Sequence, residues 1–169
     1  GRKFQGKERE LATALAQEVG FLPLALDLAA IRAIRGAKWD ELRNALHTEV
    51  AALEVLENRS EYRKGHLILE ASYNLSLNFL RKEDEVAWQA FVWLGVLPED
   101  VTITERMAST LWEQEADEAR NILESLWSDG LLLPGIFVNI NGIDYRGFRI
   151  HDILHDMARR LIIKSHPDG

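Results

Sequence analysis

The sequence contains no cysteine, which excludes disulfide staples and thiolate metal centres and suits a reducing cytoplasm. It also lacks a long apolar run. The strongest one, Phe21 to Ile34, is interrupted by Pro23, Asp27 and Arg32, so it is too short and too polar to span a bilayer, and a membrane is not an expected partner. There is no secretory leader, and the first residue is Gly1 instead of methionine, so a piece of a larger cytoplasmic protein is the expectation. Basic surplus is missing as well. Net charge is −7, and it is uneven: positions 1–64 hold 11 basic and 10 acidic residues, positions 65–169 hold 9 and 17. An acidic second half opposes nucleic-acid binding, which needs cations to displace the counterions of phosphates.

What is present suffices for a core. With 47% hydrophobic residues in 169, the chain can form one ordinary domain or two small ones. Leu11, Leu15 and Val19 share one stripe of a helix over Glu8 to Val19, which Gly20 ends. A second helix starts at Pro23 and runs to Gly36, apolar nearly all round and therefore central to a small bundle. Helices from Trp39 to Leu46 and from Thr48 to about Leu56 complete that bundle. The polar stretch Asn58 to Gly65 marks a linker.

Beyond it the pattern predicts four helices, a hairpin and a last helix. The helices cover His66 to Phe79, Lys82 to Leu94, one capped by Thr102 or Thr104, and Ala116 to Ser128. The period then changes from 3.6 to about 2: Leu131 to Ile140 and Ile143 to Ile150 flank Asn141-Gly142, a strong hairpin signal. Asp152 to Ile163 is the final helix. The fold class expected is therefore mainly α, a small helical bundle (1–60), a linker (61–65) and a winged-helix domain with a β-hairpin wing (66–169). Trp88, Trp93, Trp112 and Trp127 read as core residues.

Four segments in this order resemble the NB-ARC type of signal-transducing nucleotide-switch ATPase. Gly20-Phe21-Leu22-Pro23-Leu24-Ala25-Leu26 resembles its GLPLAL segment, and Trp39 falls where the family often has tryptophan. Leu69-Glu70-Ala71-Ser72-Tyr73-Asn74-Leu75 resembles the opening of its winged-helix domain. Phe91 to Asp100 and Phe148 to Ala158 resemble its F-P-x-D stretch and MHD motif. Phe21 stands in place of the GLPL glycine, and Ile150 in place of the MHD methionine.

The resemblance implies that Leu22 and Pro23 contact the adenine and ribose of ADP, that His151 reaches a phosphate, and that Asp152 caps the last helix. It further implies ADP or ATP, with magnesium accompanying ATP, as cofactor of an intact parent. Expected partners are that parent's own nucleotide-binding domain, sensor repeats after residue 169, and further copies of itself on activation. No G-x-x-x-x-G-K-[ST] loop and no strand ending in paired acidic residues occur here, so this chain is not expected to be an enzyme or to bind nucleotide tightly by itself.

Two other readings compete. His151 and His155 stand at i and i+4, the spacing of zinc-protease helices, but only His47, His66 or His166 could add a third imidazole, and no metal is expected. A winged-helix DNA-binding transcription regulator is the alternative function; against it, the helix before the wing carries Asp117, Glu118, Glu124 and Asp129 with Arg120 its one cation, and Arg146 and Arg149 on the wing are too few.

Overall fold

The computed structural model describes residues 6–57 and 64–165. They form two compact units, one comprising Gly1–Asn78 and the other Phe79–Gly169. The division falls within a continuous helix, and the linker expected at 61–65 lies largely outside the described residues, Lys64 and Gly65 opening that helix.

Unit 1 is all helical among its described residues: α1 (Lys7–Glu18), α2 (Pro23–Ile34), α3 (Trp39–Glu57) and the first part of α4 (Lys64–Glu83). Leu15 of α1, Ala25 and Leu28 of α2, and Leu42 and Leu46 of α3 are buried together with Val19. Each such leucine contributes about 1.5–3 kcal/mol when fully removed from water. Glu18 ties α1 to α3 by accepting from Arg43 and lying 3.0 Å from His47 Nε2. A buried Arg32 donates from Nη2 to the Ser76 carbonyl at 3.2 Å. Beside it Leu15, Leu28, Ser72 and Ser76 help line a void of about 30 Å³. Where two helices were expected after Trp39 there is one: Thr48, which looked like a new cap, instead donates its hydroxyl to the Asn44 carbonyl at 3.0 Å and stays mid-helix.

Unit 2 contains α5 (Glu85–Trp93), a 3-10 turn (Leu94–Val96), β1 (Ile103–Thr104), α6 (Glu105–Trp112), α7 (Ala116–Ser128), β2 (Leu133–Ile140), β3 (Ile143–Arg149) and α8 (Asp152–Ser165). Asp84 separates α4 from α5 because its carboxylate accepts from Ala87 N at 2.9 Å, an N-cap worth about 1 kcal/mol. Thr104, not Thr102, caps α6 by accepting from Met107 N at 3.4 Å. Phe91, Leu94, Ile103, Leu123, Leu126, Phe148 and Leu154 are buried and form the core of this unit.

The sheet is antiparallel with order β1-β3-β2. Strand β1 escaped the sequence reading: two residues are too few for a periodic signal, and pairing Ile103 with Phe148 and Thr104 with Gly147 is a tertiary event. At the hairpin tip Asn141 and Gly142 have φ of +53° and +82°, the positive pair that a two-residue turn of matching twist requires. Gly142 N donates to Asn139 Oδ1 at 3.0 Å. Helix order and sheet together give a winged-helix fold, and the molecule is mainly α with a β-hairpin wing.

Close approach fixes two features. A Cβ on Gly95 would lie 2.6 Å from the Ala158 carbonyl carbon and 2.5 Å from Arg159 N, so α8 rests directly on the 3-10 turn. Two of the supposed core tryptophans, Trp93 and Trp127, are 40% and 38% exposed. The reason is visible for Trp127, whose ring face is covered by the Arg146 guanidinium at 4.3 Å, a contact that favours keeping the cation partly hydrated.

Candidate functional site

Leu22 and Pro23 sit where α1 turns into α2. Gly20 and Phe21 both take positive φ (+61° and +54°), and Phe21 N donates to the Ala16 carbonyl at 2.9 Å, closing α1. Leu22 is then extended (φ −63°, ψ 117°) and Pro23 is the first helical residue, where its missing N–H costs nothing. Leu22 has no side-chain acceptor, so the opening of α2 has no side-chain cap, and Pro23 is exposed beside a 62% exposed Phe21. An apolar tip at an uncapped, electropositive helix start suits a flat ring with an anionic tail.

His151 and Asp152 stand where the wing passes into α8. Asp152, exposed, is the first residue of that helix, while the side chain that accepts from its backbone is that of His151: Nδ1 lies 3.4 Å from Ile153 N. With Nδ1 accepting, the neutral imidazole carries its proton on Nε2, which can only donate. That is the polarity a phosphate oxygen needs. Leu22 and Pro23 thus belong to unit 1, His151 and Asp152 to unit 2. Taken separately, Leu22 with Pro23 offers an apolar face suited to a ring, and His151 a donor suited to one phosphate oxygen; the described residues offer no glycine-rich loop for further phosphates and no carboxylate pair at a strand end for magnesium.

His155, four residues on, is not beside a second histidine ligand but buried, with Nε2 2.9 Å from the Leu97 carbonyl. A carbonyl only accepts, so the proton is on Nε2 and Nδ1 is a buried acceptor with no hydrogen-bond partner among the described residues. Leaving such an atom unpaired costs about 1–3 kcal/mol. His155 groups with Glu99 and Asp156, a juxtaposition across 56 positions that sequence spacing could not show.

The face expected to meet DNA is neutralised from within. Arg120 on α7 donates to both carboxylate oxygens of Glu105 at 2.7 and 3.0 Å and lies 3.1 Å from Asp117. Its pKa is raised, first by the Glu105 hydrogen bond and then by the charge of the same carboxylate. On the wing Arg149 is paired with Asp100 at 2.9 Å, and Arg146 lies over Trp127 and Phe148. Behind α7, Val86, Trp93, Trp112 and Ile122 line a groove of about 560 Å³ rimmed by Glu85 and Glu113.

No family model matches the chain. It is similar to Regulatory protein AfsR of Streptomyces coelicolor, with 26% identity over 175 residues. That match takes in the whole of this chain and 15% of the relative. The chain thus spans about one seventh of the length of that protein. Among the described residues, no helix is long and apolar enough to cross a membrane.

Proposed function

We propose that the chain is the regulatory arm of a nucleotide-dependent switch of NB-ARC type, contributing contacts to ADP in a longer parent protein. The observation that supports this reading is the polarity of His151: a half-buried imidazole at the start of α8 whose Nδ1 accepts from Ile153 N, so that in the neutral ring Nε2 bears the proton and is a donor. Its similarity along its whole length to a protein named as regulatory supports the regulatory half of the proposal. ADP held by an absent nucleotide-binding domain, by Leu22 and Pro23, and by His151 would keep the winged-helix unit in one position. Exchange for ATP removes that latch and frees a surface for self-association. No part of the reading gives this chain ATPase chemistry of its own.

The test is calorimetry with ADP on this chain and on a version extended N-terminally by about 250 residues, the size of a large domain. Tight binding confined to the extended protein, and weakened by His151→Ala, supports the switch.

The winged-helix fold and the relative's description also admit a DNA-binding regulator. The internal pairing of Arg120 and Arg149 and the acidic face of α7 weigh against it. Salt-dependent binding of duplex DNA by this chain, with no nucleotide binding by the extended one, would reverse the order of the two readings.

A further inference from the structure

We propose that Glu99, His155 and Asp156 bind one divalent cation of the borderline first-row class, with zinc its representative. A ring nitrogen of His155 and one carboxylate oxygen from each acidic residue lie within 4.8 Å of one another. Ligand atoms on one tetrahedral zinc stand about 3.3 Å apart, a gap that rotation of two exposed carboxylates closes.

Acidic side chains near one another are common; the imidazole is what distinguishes this place. It is 3% exposed, its Nε2–H is held on the Leu97 carbonyl, and its Nδ1 has no hydrogen-bond partner among the described residues. A backbone carbonyl on the far nitrogen is the arrangement that fixes the tautomer of metal-ligating histidines and raises their basicity. Here it leaves Nδ1 carrying the ring's remaining lone pair. The site has an opening: His155 and Glu99 share the wall of a cavity of about 530 Å³ with Leu97, Pro98 and Arg159. Arg159 is the one cation of that lining, and two carboxylates outweigh it. One imidazole with two carboxylates selects zinc-like ions over calcium, which prefers oxygen alone, and three protein ligands leave a position for water.

The experiment is titration of the full chain with Zn²⁺ by calorimetry and with Co²⁺ by visible absorption, alongside Glu99→Gln, Asp156→Asn and the control His66→Ala. Both carboxylates are exposed, so these variants should fold. Nitrogen-15 spectra of the histidine rings provide a second readout. The expected result is one ion per chain, affinity lowered at least about 10-fold by each carboxylate variant and unchanged by the control, and a zinc-induced shift of His155 Nδ1 with Nε2 still protonated. Absence of Zn²⁺ binding at millimolar concentration overturns the proposal. So does binding that survives loss of both carboxylates or that leaves the His155 ring signals unmoved.

Discussion

Arg120 reaches from α7 to grip both oxygens of Glu105 on α6. The one cation of the helix that precedes the wing is therefore spent inside the domain, and Asp117, Glu118 and Glu124 remain around it. Duplex DNA should bind this chain more weakly than about 10⁻⁴ M at physiological salt. Fluorescence anisotropy against a mixed-sequence duplex checks this, and micromolar, salt-sensitive binding would contradict it.

In the extended protein, His151→Ala should weaken ADP about 10- to 150-fold, the equivalent of one charge-assisted hydrogen bond of about 1.5–3 kcal/mol. A matched titration with adenosine separates the two candidate contacts. His151→Ala should leave adenosine binding almost unchanged, whereas Pro23→Ala should weaken adenosine and ADP alike.

Gly95→Ala should destabilise unit 2 by about 1–3 kcal/mol, because the added methyl meets the backbone of Ala158 and Arg159, which cannot rotate away. Thermal unfolding followed by circular dichroism measures it. A change of only a few tenths of a kcal/mol would show that α8 can lift from the turn.

Phe21→Gly should stabilise unit 1 by about 0.5–1 kcal/mol. Phe21 holds φ +54° at 62% exposure, so glycine relieves left-handed backbone strain while little buried surface is lost. Denaturant titration decides it, a loss of stability showing that the exposed ring has a packing role.

Tyr73 is fully buried, and burial pushes its hydroxyl well above the usual tyrosine range. The folded state therefore keeps the proton longer than the unfolded state. Its contribution to stability is complete below the unfolded value, about 10, and falls as pH rises above that. Alkaline unfolding should begin above about pH 10, and Tyr73→Phe should shift its onset upward. An unshifted midpoint would assign alkaline unfolding to other groups.

The winged helix was legible because its signals are local: the apolar stripe of Ala119, Leu123 and Leu126, and Asn141-Gly142 between alternating strands. The cap at Asp84 was not, since that residue fell inside the helix expected over Lys82 to Leu94. Strand β1 was not, since Ile103 and Thr104 become a strand only against Phe148 and Gly147. Local chemistry also misled at Thr48, where a residue that often starts helices is accommodated inside one. At the candidate site, the position of His151 before a helix could be read from order along the chain. The partnership of His155 with Leu97 and Glu99 could not, because it depends on α8 crossing the turn after α5, and the glycine that permits this, Gly95, resembles any other loop glycine in sequence.

The hairpin tip has a bearing on how the protein ages. Asparagine followed by glycine degrades when the glycine amide attacks the asparagine side chain to form a cyclic imide, and Asn141-Gly142 is such a pair, exposed to solvent. Here the attacking amide is already committed: Gly142 N–H is bound to Asn139 Oδ1. Asn139 therefore acts as a preservative for its neighbour, and the wing should keep its charge in storage for as long as that one bond survives.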